Sequence, residues 1–99
     1  MSGQVPVRAD GSVVAGSAAE QAEQVIRNAE AYAASAGGTL SNVVSMTVSL
    51  TNVSDIDAID AAVRRVFDDG AYPARTTVQV AALGRPEFDV EISVVARLA

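Results

Sequence analysis

Arg75 is the side chain whose type and position most clearly suggest ligand binding. It lies in the segment Tyr72-Pro73-Ala74-Arg75, where a loop enters a predicted strand. A guanidinium at such a point can hold a carboxylate through two parallel hydrogen bonds, which the ammonium of a lysine cannot do. The pattern also allows a solvated strand edge or an ion pair between subunits, and these alternatives stay open.

Glu91 is the second candidate, because it interrupts a strongly apolar stretch. A carboxylate in such surroundings needs a partner. It could position a water molecule or take a proton, or it could be half of a structural salt bridge, with Asp89 and Arg97 as competing partners on the same strand face. Ser2 and Gly3 offer a hydroxyl and backbone amides to an anion, although a Ser-Gly pair is more often the start of a strand.

The residue types missing from the sequence narrow the chemistry further. There is no Cys, no His and no Lys, and all seven basic residues are arginines. Thiol catalysis, Schiff-base chemistry, disulfides and the usual metal sites are therefore excluded. The sequence also carries no phosphate-binding glycine loop and no nucleophilic triad. We expect a site without a metal or organic cofactor, built from Arg, carboxylates, hydroxyls, backbone groups and water.

The overall charge limits the partners. The net charge is −5 and the sequence pI is about 4.4, so the protein repels phosphate backbones and anionic membrane surfaces. No apolar run is long enough to span a bilayer, and the N-terminus lacks the pattern of a signal peptide. We expect a cytoplasmic protein that binds neither nucleic acid nor membranes.

The elements that must position these residues follow from hydrophobic periodicity. At 99 residues the chain is expected to be one domain, residues 1–99. Ser2 to Val7 predicts a short strand, and Ala9-Asp10-Gly11 predicts the turn of a hairpin that returns through Val13-Val14. Apolar residues at helical spacing predict a first helix from Ala18 to Ala36, with Ser17 and Glu20 as a capping box and Gly37-Gly38 at its end.

The second half of the chain predicts a strand, a helix and two further strands. In the strand from Asn42 to Leu50, Val44, Met46, Val48 and Leu50 are expected on one face and Val43, Ser45, Thr47 and Ser49 on the other. Ser54 and Asp57 predict the cap of a second helix, which Asp68-Asp69-Gly70 ends. Strands from Arg75 to Leu83 and from Phe88 to Leu98 are expected to form a hairpin around Gly84-Arg85-Pro86.

This order of elements predicts an α+β fold: a two-layer sandwich in which two helices cover one face of a mixed sheet. Alternate residues of the last strand, from Phe88 to Leu98, are expected to face the helices. The opposite sheet face carries small and mixed side chains and has no cover. A domain of this size often needs further contacts for stability, so we expect this face to pack against identical subunits. The residues that define the expected face are Val43, Ser45, Thr47, Val78 and Val95.

The segments together resemble the Rid family of reactive intermediate deaminases, also called YjgF or L-PSP endoribonucleases. The matching pieces, in the family's order, are SGQVPV, QAEQVIRNAEAYAASAG, NVVSMTVSL, TNVSDIDAIDAAVRRVF, YPARTTVQVAAL and DVEISVVA. The resemblance implies a chorismate-mutase-like fold and a homotrimer with clefts between adjacent subunits. It also implies hydrolysis of 2-imino and 2-enamino acids, such as 2-aminoacrylate, to 2-oxo acids and ammonia.

The resemblance assigns a role to individual residues. Arg75 matches the arginine that holds the substrate carboxylate, and Glu91 matches the glutamate that helps to place the attacking water. Ser2, Gly3 and Thr77 fall at positions that line the pocket. This chain departs from the family in three of its residues: Ser93 replaces a frequent acidic residue, Asp60 stands where Asn is common, and Thr77 where several members carry Cys. It also begins after the first strand that family members usually have, so either its start is assigned late or its cleft is incomplete and a sheet edge is exposed.

Two other functions compete with imine deamination. One is a non-catalytic trimer that binds small carboxylates or a partner protein, which the absent first strand favours. The other is ribonuclease action or translation inhibition, which the sequence disfavours because it offers no His or Lys and has an acidic net charge.

Overall fold

A computed structural model describes residues 4–67 and 73–97 of the chain. Two helices, α1 (Ala18–Ser35) and α2 (Ile56–Val66), alternate with three strands, β1 (Val43–Leu50), β2 (Ala74–Gln79) and β3 (Val90–Ala96). Short 3-10 turns at Leu40–Asn42 and Val53–Asp55 precede β1 and α2. Over the described ranges, neither helix combines the length and the apolar character that crossing a membrane requires.

The strands form one mixed sheet with β1 at its centre, in the order β2-β1-β3. The β1–β2 pair is parallel and the β1–β3 pair is antiparallel. Both helices contribute to a single core with alternate residues of β1 and β3, so they cover the same face of the sheet. The predicted two-layer α+β sandwich is therefore confirmed. The largest fully buried side chains include Ile26, Leu50, Ile59 and Ile92.

The predicted hairpin between the last two strands is wrong, because β2 and β3 lie on opposite sides of β1. The connection between them passes the end of β1 instead. There the Val80 N–H donates to the Leu50 carbonyl at 2.8 Å, and the Thr51 N–H donates to the Asp89 carbonyl at 3.2 Å. Gly84 and Pro86 therefore lie in a crossover loop. Of the residues predicted to face inward in the last strand, Phe88 just before β3 and Val90, Ile92 and Val94 within it are buried, whereas Ala96 is exposed and Leu98 falls outside the described residues.

Helix α1 begins and ends as its sequence predicts, to within a residue. The Ser17 hydroxyl accepts from the Glu20 N–H at 3.2 Å, and the Glu20 carboxylate accepts from the Ser17 N–H at 3.2 Å, which completes the capping box. After Ala36, Gly37 adopts φ 83°, the left-handed conformation that glycine takes without strain.

The predicted cap of α2 is wrong. Asn52 caps the 3-10 turn that precedes α2: its side-chain oxygen accepts from the Ser54 N–H at 3.0 Å and from the Ser54 hydroxyl at 2.8 Å. This turn then leads into α2, whose N-cap residue Asp55 makes no side-chain capping bond. The inward stripe of α2 is confirmed, with Ile59 and Val63 buried. The predicted helix end at Asp68-Asp69-Gly70 lies outside the described residues.

A β-bulge changes the facing of residues at the start of β1. The pairing with β3 shifts between Val43 and Ser45, which leaves Val44 as the extra residue. Val43 is consequently buried and Val44 is 48% exposed, the reverse of the predicted arrangement. Beyond the bulge the predicted alternation is confirmed, with Met46, Val48 and Leu50 in the core.

The N-terminal segment is held by isolated bridges. Gln4 and Ile92 exchange two backbone hydrogen bonds of 2.7 and 3.0 Å, and Val7 pairs with Val13. The turn between Val7 and Val13 is the predicted one, with Gly11 at φ 89°. At its tip the carboxylate of Asp10 accepts from the N–H and hydroxyl of Ser12, and these bonds lower the pKa of Asp10.

Gln21 on α1 is a buried polar side chain that ties two distant segments to the helix. Its amide nitrogen donates to the carbonyls of Val14 at 3.1 Å and Glu87 at 2.9 Å. Its oxygen accepts from the Asp89 N–H at 2.7 Å. The Gln21 amide thus satisfies backbone hydrogen-bonding groups both in the segment before α1 and in the crossover loop before β3.

Candidate functional site

Arg75 lies on the helix-covered side of the sheet, at the edge formed by β2. In the parallel register it is opposite Met46, a buried residue of β1. Its own side chain is 22% exposed. A charged group that is so largely removed from water needs partners, and the structure provides two.

The two partners of Arg75 come from different elements. Its Nε donates to the hydroxyl of Thr77 at 3.0 Å, two residues along the same strand face. Its Nη2 forms an ion pair with the carboxylate of Asp60 on α2. Arg75 and Thr77, both of which the resemblance assigns to the pocket, are thus in contact, while the pairing with Asp60 was not predicted. A signal for it was present in the sequence: Asp60 directly follows Ile59, which faces the core, so it falls beside the inward stripe of α2.

A cavity of about 300 Å³ opens beside this guanidinium, lined by Met46, Val63, Arg64, Pro73 and Arg75. Its volume suits a small organic molecule. Among the described residues, the side chain of Arg64 forms no hydrogen bond or ion pair, so the cavity wall carries a second arginine with a free charge. Two arginines and the nearby Asp60 leave the surroundings positive, which favours an anionic ligand.

Glu91 lies on the other face of the sheet. It pairs with Ser49 on β1, whereas Arg75 pairs with Met46. Met46 and Ser49 are three residues apart, and because side chains alternate along a strand, an odd separation places them on opposite faces. One subunit therefore does not bring Arg75 and Glu91 together.

The surroundings of Glu91 differ from those expected for a structural salt bridge. Within the described ranges its side chain has no hydrogen-bond or ion-pair partner, and neither Asp89 nor Arg97 pairs with it. It is partly buried among the open-face residues of the sheet, next to Ser49. Its carboxylate is thus free to accept hydrogen bonds from a ligand or water.

The remaining predicted site residues, Ser2 and Gly3, lie outside the described residues. A metal site is not evident either: no group of three or more Asp, Glu, His or Cys side chains is clustered within residues 4–67 and 73–97. The chemistry available in the described part of the chain is thus anion binding by Arg75 and Arg64, and hydrogen bonding by Glu91, Asp60 and Thr77.

The protein is thus a small α+β domain: both helices cover one face of a mixed sheet, and a small cavity lined in part by two arginines lies at the edge of that sheet. The sequence model of the family described as endoribonuclease L-PSP matches residues 1–98. The chain belongs to this family, which includes the Rid proteins.

Two curated relatives match almost the whole chain. Protein DfrA of Myxococcus xanthus is 41% identical over 97 residues, which cover 97% of this chain and 72% of that protein. The human 2-iminobutanoate/2-iminopropanoate deaminase is 34% identical over 97 residues, covering 97% of this chain and 69% of the deaminase.

Solved structures agree with the fold. A Rid-family protein of unknown function, YyfA from Yersinia pestis, superimposes with a TM-score of 0.92 at 34% identity, covering 98% of this chain and 77% of the other. TdcF of E. coli, crystallised with bound serine, gives a TM-score of 0.90 at 31% identity and covers 99% and 78% respectively.

Proposed function

We propose that this protein hydrolyses reactive 2-imino and 2-enamino acids, such as 2-iminopropanoate and 2-aminoacrylate, to 2-oxo acids and ammonia without a cofactor. The observation that carries the proposal is the Arg75 guanidinium in the lining of a cavity of about 300 Å³, held in place by Thr77 and Asp60. A substrate of three or four carbons with one carboxylate fits such a site in size and in charge. The naming of a human relative as an imine deaminase supports the same chemistry.

The reaction makes few demands on the protein. Water adds to the C=N carbon of the protonated imine, and the oxygen gives up a proton to form a neutral carbinolamine. Transfer of a proton to nitrogen then lets the C–N bond break as the C=O bond forms, and loss of the hydroxyl proton completes the release of ammonia and the 2-oxo acid. A 2-enamino acid enters this sequence after it takes a proton at C3, which converts it to the protonated imine. Because the imine is already electrophilic, the site must chiefly hold the carboxylate, orient the carbon and supply water in the right place.

In the proposed mechanism, Arg75 holds the carboxylate and Glu91 orients the water and accepts its proton. Ser2, Gly3 and Thr77 complete the lining. Since Arg75 and Glu91 lie on opposite sheet faces of one subunit, we propose that a complete site takes Arg75 from one subunit and Glu91 from the next. A homotrimer packed through the open sheet faces would provide such clefts, and the exposure of Val78 and Val95 on that face supports it.

A carboxylate-binding protein without catalysis would share Arg75 and the cavity. It would leave Glu91, whose side chain has no partner within residues 4–67 and 73–97, without a task. Ribonuclease action is not proposed, because the sequence offers no His or Lys for phosphodiester cleavage and its net charge is −5.

The decisive experiment measures 2-oxo acid and ammonia release from 2-aminoacrylate generated enzymatically in situ. The wild type should accelerate release above the uncatalysed rate, and Arg75→Ala should lower kcat/KM by about 100-fold or more, because the substrate loses its anchor. Arg65→Ala is the matched control: Arg65 is 59% exposed and pairs only loosely with Glu23, at 3.8 Å. Equal turnover by wild type and Arg75→Ala would contradict the proposed function.

A further inference from the structure

The ion pair between Asp60 and Arg75 places opposite charges side by side at the proposed carboxylate site. Asp60 is about one-third exposed. Arg75 is the sole hydrogen-bond or ion-pair partner of its side chain among the described residues. A carboxylate has two oxygens and about four acceptor positions, so Asp60 keeps acceptor capacity after it has bound the guanidinium.

The atoms of Arg75 that Asp60 and Thr77 use determine how a ligand can approach. Nε donates to Thr77 and Nη2 to Asp60, so one edge of the guanidinium is taken by the protein. Nη1 has no partner among the described residues. A ligand carboxylate can therefore bind end-on, through Nη1 and the second N–H of Nη2, which brings it next to Asp60.

A ligand bound in this way meets a negative charge beside its own. A simple carboxylate is repelled by Asp60, and its attraction to Arg75 is partly cancelled. A ligand whose carbon next to the carboxylate carries a positive nitrogen escapes this repulsion, because the nitrogen can donate to Asp60 while the carboxylate binds Arg75. The pair thus matches the two adjacent charges of an amino acid or of a protonated 2-imino acid.

We propose that Asp60 is a specificity-determining residue, which makes the Arg75 site select carboxylates that carry a cationic nitrogen on the adjacent carbon over carboxylates that do not. This proposal deepens the proposed function and rests on its assignment of Arg75 as the carboxylate-binding group. It predicts that a product 2-oxo acid, which has lost the nitrogen, is held less strongly than the substrate.

The test compares two stable ligands of nearly the same shape, L-alanine and L-lactate, which differ in an ammonium against a hydroxyl. Their Kd values are measured at pH 7 by calorimetry for the wild type, Asp60→Asn and Asp57→Asn. Asp57 is the matched control, an exposed carboxylate in the first turn of the same helix. The wild type and Asp57→Asn should prefer alanine, while Asp60→Asn should bind alanine more weakly and lactate more tightly. The ratio of the two Kd values should change by about tenfold or more.

The expected changes in affinity have opposite signs for alanine and lactate, and this distinguishes a specificity role of Asp60 from a positioning role. If Asp60 merely fixed the guanidinium, Asp60→Asn would weaken both ligands alike, and that result would overturn the proposal. Equal affinity of the wild type for the two ligands would overturn it as well. Binding of neither ligand to the wild type would remove the carboxylate site itself, and with it the proposed function. If Asp60→Asn changes the ratio of the two Kd values as expected but the wild type does not hydrolyse imines, this proposal stands and deamination alone is refuted.

Discussion

At the scale of single residues, the two contacts of Arg75 differ in how far the sequence predicts them. The contact between Arg75 and Thr77 follows from strand periodicity, because residues two apart share a face. The contact between Arg75 and Asp60 joins residues 15 positions apart in sequence and depends on how α2 lies over β2. The position of Asp60 beside the inward stripe of α2 places it near the sheet, but no local pattern specifies which strand residue it meets, so the identity of the counter-ion had to come from the structure.

Glu91 gives a prediction that separates catalysis from binding. Glu91→Gln keeps the shape of the side chain but cannot take a proton, so kcat should fall by about 100-fold or more. Binding of pyruvate to the Arg75 site should change little. The measurement is the in situ 2-aminoacrylate assay together with calorimetric titration of pyruvate.

Glu87→Gln serves as the control for this variant, since Glu87 is exposed and pairs with Arg85 at 3.0 Å. Its kcat should equal that of the wild type. A Glu91→Gln protein with full kcat would show that the carboxylate is not needed for the chemistry and that another group places the water.

At the scale of elements, the extent and type of most segments followed from periodicity and caps, whereas their pairing did not. Strict alternation identified β1 and β3, and the Ser17–Glu20 capping box located the start of α1. Gly84 and Pro86 predicted that the chain turns between the two strands, but not which strands pair, because a glycine and a proline suit a crossover loop as well as a hairpin.

The bulge at Val44 is a second feature that the hydrophobic pattern could not predict. Val43 and Val44 are both valines, so composition gives no sign of which one faces the core. Only the pairing with Val95 and Ala96 of β3 fixes the register shift. The face of every residue before the bulge changes with it.

Gln21 leads to a stability prediction for this arrangement of elements. Gln21→Leu should lower the free energy of unfolding by about 2 kcal/mol, because the carbonyls of Val14 and Glu87 and the N–H of Asp89 lose their partner. The measurement is equilibrium urea unfolding followed by circular dichroism. Gln24→Leu on the same helix, which removes one bond to Asn28, should cost clearly less. Equal losses in the two variants would contradict the role of Gln21 as a tie between segments.

At the scale of the whole molecule, the sheet has one covered face and one open face. The open face carries polar side chains of moderate size together with exposed valines, among them Val95 at 56% and Val78 at 41%. We take these exposed valines, on a sheet whose other face already packs against the helices, as the physical basis for the proposed trimer.

Val95→Glu tests that assignment. A charge buried without a partner in the proposed interface should shift the protein toward monomers and reduce imine hydrolysis in proportion, because the proposed cleft needs two subunits. The mass in solution is measured by light scattering after gel filtration. Val53→Glu is the matched control: Val53 is 58% exposed but lies in the 3-10 turn before α2, so both the mass and the activity should remain those of the wild type. A monomeric wild type, or an unchanged mass in Val95→Glu, would contradict the trimer.

The placement of Arg75 and Glu91 on opposite faces of one sheet has a consequence for inheritance. In the proposed trimer each chain serves two clefts, giving its arginine to one and its glutamate to the other. A chain altered at both positions would therefore disable two of the three clefts around it, although its partners are intact. A defective copy of the gene expressed beside a normal one would be expected to act dominantly, and a chain altered at only one of the two positions would spare one of the clefts it serves.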